Sequence, residues 1–139
     1  MPFLSRADYE ALLYALPQQF PHAILSSTVH LYSTSALTAR IVGSIHFVGG
    51  VELRVAEFID FLAGQIRDYS YTVYRGAEKI RWYDPQPHPD NPELASTFPH
   101  HRHEPPEIKH NRRPAPGISF DAPNLPTVIA DILQLLDED

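Results

Sequence analysis

Nine of the fourteen prolines in this chain of 139 residues fall between Asp84 and Pro116. Each proline removes a backbone donor and fixes φ, so the stretch is expected to be neither regular helix nor regular sheet but a long, stiffened loop. A loop of that length inside a compact chain is normally either functional or disordered. Regular structure is therefore sought before Asp84 and after Pro123.

The flanking segments carry readable patterns. Ser5 followed by Asp8 resembles a capping box, and Tyr9, Leu12, Leu13 and Leu16 fall at helical spacing, which predicts a first helix from about Arg6 to Leu16, closed by Pro17. His22 to Tyr32 predicts one irregular strand. Thr38 to Val48 is β-branched and apolar, and Gly49-Gly50 supplies a turn that accepts positive φ. Val51, Leu53 and Val55 then alternate with Glu52, Arg54 and Ala56, a hairpin signature. Phe58 to Gly64 reads as a short apolar connection. Tyr69, Tyr71 and Val73 define one face of a further strand, and Ile80 and Trp82 face away from Lys79, Arg81 and Tyr83 in the next. Near the C-terminus, Asn124-Leu125-Pro126 predicts an N-cap with proline in the first turn. Val128, Ile129, Ile132, Leu133, Leu135 and Leu136 follow at helical spacing.

These elements predict a single α+β domain, an antiparallel meander sheet of about four to five strands between N-terminal and C-terminal helices. Residues 1–37 hold the first helix and the irregular strand, 38–84 the sheet, 85–123 the His/Pro-rich functional loop and 124–139 the last helix. Without cysteine there is neither a disulfide framework nor a thiolate metal site, so any metal must use His, Asp or Glu. No leader pattern and no apolar run of membrane-spanning length is present, and the expected location is cytoplasmic.

A net charge of -6 argues against a protein that coats nucleic acid over its whole surface. The charge is uneven, however: seven of the eleven cationic residues and five of the eight histidines lie between Arg75 and Arg113, interleaved with carboxylates. That mixture predicts a focused anion site rather than a broad basic groove.

The residues best suited to chemistry are Tyr83, Asp84, His88, His100, His101 and His103, joined by Arg81. Imidazole gives and takes protons near neutrality, and arginine offers a fixed fork for phosphate. This set predicts metal-independent RNA cleavage. In that scheme His100, His101 or His103 act as acid and base, Asp84 orients an imidazole, and Arg81 stabilises the phosphorane. Arg102, Lys79, Arg112 and Arg113 are the expected substrate contacts. The competing reading is a non-catalytic module in which His101, His103, His88 and Asp84 hold a divalent metal or the loop holds a protein partner. The plainest alternative is a solvated histidine-rich loop. His22, His30 and His46 are set aside, His46 as a core or sheet-face imidazole.

The succession Tyr69-Ser70-Tyr71, Ile80-Arg81-Trp82-Tyr83-Asp84, a Pro/His turn with His88, then Thr97-Phe98-Pro99-His100-His101-Arg102-His103 before a short helix resembles the TumE family of prokaryotic toxin–antitoxin toxins. The likeness covers about residues 40 to 136. The family pattern runs approximately Arg-Tyr-Asp-Asn-x-x-His and then Phe-Pro-His-His-x-His, so Arg81, Asp84, His88, His100, His101 and His103 match by position. Pro85 departs from it where Asn is common, and Trp82 is a further variation. The resemblance implies a toxin that acts on RNA and an antitoxin partner carrying a DNA-binding domain.

Overall fold

The computed structural model describes residues 2–138. In chain order it contains α1 (Arg6–Gln19), β1 (Ile24–Ser27), β2 (His30–Ser33), β3 (Thr38–Phe47), β4 (Val51–Asp60), β5 (Gln65–Arg75), β6 (Glu78–Asp84), β7 (His101–His103), β8 (Arg112–Pro114) and α2 (Leu125–Asp137), with a short 3-10 turn at Pro92–Thr97 before β7. The strands form one antiparallel sheet in the order β1-β3-β4-β5-β6-β7-β8, and β2 pairs with β3 beside β1. The predicted class holds, with more strands than expected.

The additional strands have physical causes. β1 and β2 are two halves of one edge, since β1 lies against Ile45–Phe47 and β2 against Ala39–Val42. The break falls opposite Gly43, whose φ is 141° and where a Cβ would lie 2.6 Å from both the Thr28 carbonyl oxygen and Val29 Cα. Only a glycine lets the edge cross there. β4 runs through Phe58 to Asp60, so the expected connection shrinks to the turn before Gln65. α1 also outlasts its expected end: Pro17 lies inside the helix, which continues to Gln19.

The segment expected to lack strands contributes two, and each respects the chemistry of proline. β7 is free of proline, so its backbone can pair on both sides, with β6 and with β8. β8 ends in Pro114 at the outer edge of the sheet, where a missing donor costs no ladder bond. The loop is thus pinned to the sheet rather than draped over it.

Both helices cover the same sheet face. Tyr9, Leu13 and Leu16 of α1 and Leu125, Val128, Ile129 and Ile132 of α2 join Ile41, Ile45, Leu53, Val55, Tyr71, Val73 and Tyr83 in one core. Inside it lies a carboxyl group. Glu57 is 2% exposed and accepts hydrogen bonds from the Tyr9 hydroxyl at 2.6 Å and from the Tyr71 hydroxyl. Asn124 donates in turn to the Tyr71 oxygen at 3.2 Å. Asn124 makes no side-chain cap bond to α2, because its amide is spent on Tyr71 and on the Ser119 carbonyl.

The opposite face carries no helix. Its half-buried and exposed positions include Arg40 and Phe58, directly paired across β3 and β4, and Arg54, Tyr74, Lys79 and Trp82. A bulge at Val73/Tyr74 sets Lys79 opposite Tyr74, on the face of Trp82, against the expectation that Lys79 would share a face with Arg81 and Tyr83. No helix among the described residues is long and apolar enough to cross a membrane.

Candidate functional site

The register of β6 and β7 builds a cluster on the helix-free face. Asp84 is directly across from His101 and Trp82 from His103, so alternate residues of the two strands point the same way. His101 and His103 are 1% and 3% exposed. Their Nε2 atoms stand 3.1 Å apart, His103 Nε2 lies 3.0 Å from Asp84 Oδ2, and His101 Nε2 lies 3.3 Å from Asp84 Oδ1. Among the described residues these three are the group whose ligating atoms converge within 4.8 Å.

The surroundings fix each member. His101 Nδ1 donates to the Pro99 carbonyl at 3.2 Å, which leaves the lone pair on Nε2 facing the cluster. Trp82 stacks on His103 with ring centroids 4.4 Å apart and planes 18° apart. The Gln86 backbone N–H donates to Asp84 Oδ1 at 2.8 Å. Burial alone would push the Asp84 carboxyl up, but the hydrogen bonds from His103 and Gln86 and the nearby imidazoles hold it below its ordinary value. Burial pushes His101 down and favours its neutral form, outweighing the Pro99 carbonyl and Asp84.

His88 closes the cluster from the loop side, its ring 5.0 Å from that of His101 and nearly perpendicular to it. It is half-buried and lines a recess of about 370 Å³ with Pro87, Asp90, Asn91 and Arg112. Arg112 is across from His103 on β8, and its Nε has no hydrogen-bond partner. Burial and the Arg112 charge both lower the His88 pKa. A second cleft of about 380 Å³ runs along Asp68, Ser70, Trp82, Asp84 and Pro85 on the same side.

Other residues predicted for the site are elsewhere. His100 turns away from the cluster, with Nδ1 2.6 Å from the Tyr69 hydroxyl and its ring 4.6 Å from that of Phe120. Burial lowers its pKa. Tyr83 is fully buried beneath α2 and donates to Asp131 at 3.0 Å, and burial with the Asp131 charge pushes its pKa up to about 12. Arg81 and Arg102 face the helices too, Arg81 paired with Glu104 at 3.3 Å and Arg102 with Asp131 at 3.4 Å. Arg113, across from Arg102, is exposed. Lys79 lies on the open face, its ammonium 5.1 Å from the Trp82 ring centroid. The structure therefore gathers Asp84, His88, His101, His103 and Arg112, and it separates them from His100, Tyr83, Arg81, Arg102 and Arg113.

Two features escaped the sequence reading. Glu57 sits in phase with Val51, Leu53, Val55 and Ile59, so the alternation marked it as a core position. The open face carries three cation–aromatic pairs: Arg40 over Phe58 at 5.1 Å, Arg54 over Tyr74 at 4.1 Å and Lys79 over Trp82. Their signal is present only in the strand register. His46, set aside as structural, is exposed on β3.

No curated protein and no solved structure matches the chain. A family model does: that of toxin TumE matches residues 13–137, spanning both the sheet and the histidine segment. The chain belongs to the TumE toxin family, and membership implies a toxin–antitoxin pair and an antitoxin partner.

Proposed function

We propose that this toxin is an endoribonuclease whose centre is the Asp84, His101 and His103 cluster, with His88 and Arg112 meeting the substrate at its mouth. One observation carries the reading: the buried cluster lies at the end of a helix-free sheet face on which Arg40, Arg54 and Lys79 stand over aromatic rings. Single-stranded RNA is bound in this manner, with its phosphates on cations and its bases against aromatic or guanidinium planes. Arg112 faces the phosphate, and His88 receives the proton of the ribose 2′-hydroxyl as that oxygen attacks phosphorus. The 5′-oxygen leaves and takes a proton from solvent.

This division of labour replaces the one expected from sequence. An acid and a base that serve opposite ends of an in-line displacement stand on opposite sides of the phosphorus. His101 and His103, 3.1 Å apart nitrogen to nitrogen, point at each other instead. Their joint role is to form the centre. The antitoxin, in this reading, carries the DNA-binding domain and blocks the open face.

The test is cleavage of a labelled single-stranded RNA by the purified protein. Fragments ending in 2′,3′-cyclic phosphate, lost in His88→Ala and Arg112→Ala, are the expected result. Intact RNA under all conditions, from protein that still arrests growth, would overturn the proposal.

A further inference from the structure

We infer that Asp84, His101 and His103 form a binding site for one divalent transition-metal ion of the zinc type. The inference rests on the cluster being the functional centre proposed above, and it departs from the metal-independent chemistry expected from sequence.

The argument begins with the protons. Pro99 offers His101 only a carbonyl, so His101 carries its hydrogen on Nδ1 and presents a bare lone pair at Nε2. That lone pair faces Asp84 Oδ1 at 3.3 Å and His103 Nε2 at 3.1 Å. His103 Nε2 can supply at most one hydrogen, and Asp84 presents two acceptor oxygens. Acceptors outnumber donors in a nearly water-free pocket, an arrangement that repels itself unless a positive charge sits between them.

The spacing then indicates what that charge is. Zinc bonds of about 2.0–2.1 Å to nitrogen and oxygen imply ligand atoms roughly 3.3 Å apart at the corners of a tetrahedron. The three contacts here, 3.0, 3.1 and 3.3 Å, match the edges of such a polyhedron. The Pro99 carbonyl holds the His101 ring as outer partners of metal-bound histidines do, fixing the tautomer from behind. Two imidazoles and one carboxylate suit zinc, iron, cobalt or nickel. Magnesium and calcium prefer all-oxygen sites. Three protein ligands leave a coordination position free, and Asp84 lines the cleft along Trp82 and Pro85 through which a phosphate oxygen could reach it. An ion there would act as a Lewis acid on that oxygen. His88 is close to the set, yet its nitrogens are not among the converging atoms.

The experiment uses the full chain without a histidine tag, purified and analysed for metal by mass spectrometry, then stripped and titrated with Zn²⁺ and Co²⁺. About one ion per chain, a raised Tm with Zn²⁺ and a visible Co²⁺ ligand-field band are expected. Asp84→Asn, which preserves size, and His101→Ala should each weaken Zn²⁺ binding beyond the roughly 10–100-fold typical when an outer hydrogen-bond partner is lost. Circular dichroism of each variant separates loss of the site from loss of the fold. No stoichiometric ion, no Co²⁺ band and no Tm change in folded wild type would overturn the inference, leaving a proton as the cluster's positive charge. Metal bound without RNA cleavage would sink only the ribonuclease reading. RNA cleavage at full rate by metal-free protein would sink the metal site alone.

Discussion

His101 and His103 alternate along a three-residue strand and turn their Nε2 atoms to within 3.1 Å of each other, with the Asp84 carboxylate closing the third side. Two residues apart on a strand is the spacing that puts side chains on one face. A His-x-His pair in a flexible loop would hold no such distance. Pairing with β6 fixes it, and β8 guards the other edge.

The opposite orientations of neighbouring residues in β7 yield a sharp mutational contrast. Arg102 lies between the two histidines in sequence but beneath α2 in space, paired with Asp131 and Glu104. Arg102→Ala should cost roughly 1–3 kcal/mol of stability through loss of charged hydrogen bonds, with little change in RNA affinity once folded. Arg112→Ala should do the reverse, raising KM while barely moving the denaturation midpoint. Urea titration beside cleavage kinetics for both variants checks the pair, and equal RNA defects would place the phosphate contact on the wrong face.

The open face should act electrostatically. Reversing Arg40 and Arg54 to Glu removes two cations that stand over Phe58 and Tyr74. Such exposed cation–aromatic pairs contribute only about 0.5–1 kcal/mol each, so the fold should survive. Binding to single-stranded RNA should weaken, and its log–log salt dependence should become shallower by about one unit. Fluorescence anisotropy across a salt series measures it; an unchanged slope would remove this face from the RNA path.

Glu57 makes stability depend on pH. Burial raises its pKa, while the hydroxyls of Tyr71 and Tyr9 oppose that rise by bonding to the carboxyl. A carboxyl raised in the folded state contributes stability fully below its unfolded pKa and loses it as pH rises through the folded value. Tyr9→Phe removes one of the two stabilising hydroxyls, so the folded pKa climbs further. The variant should lose about 1–3 kcal/mol, and the deficit should be larger at pH 8 than at pH 4. Equal deficits at both pH values, by chemical denaturation, would contradict this account of the network.

Gly43 is where the edge strand crosses, and an added Cβ meets backbone atoms at 2.6 Å that cannot rotate aside. Gly43→Ala should destabilise by at least about 1–3 kcal/mol, whereas Gly50→Ala, with open space around it and φ of 75°, should pay only for its backbone conformation. Thermal unfolding of the two variants ranks them.

The hairpin was legible because Gly49-Gly50 and the alternation on either side are local signals, and both helices were legible from capping and spacing. β7 and β8 were not, since three-residue strands have no period to detect and proline counted against them; they exist because the β6 edge was free to be paired. For the site, residue type and rough place were readable in Asp84, His88, His101, His103 and Arg112. The face each would take was not, because it depends on which residue of β7 pairs with Asp84. His100 and Arg102 were drawn into the predicted site by adjacency in sequence, and strand alternation sends them elsewhere. Glu57 was missed although its phase was visible, because a carboxyl at a core position becomes tolerable only when hydroxyls from two distant segments meet it.

The most direct test of the account compares wild type with the His101→Ala, His103→Ala double variant on one labelled single-stranded RNA, with folding verified for both. The account predicts cleavage by wild type and a loss of at least about a hundredfold in the variant, together with loss of growth arrest in cells lacking the antitoxin. A folded double variant that cleaves RNA and arrests growth as wild type does would contradict it, because the cluster would then be no part of the active centre.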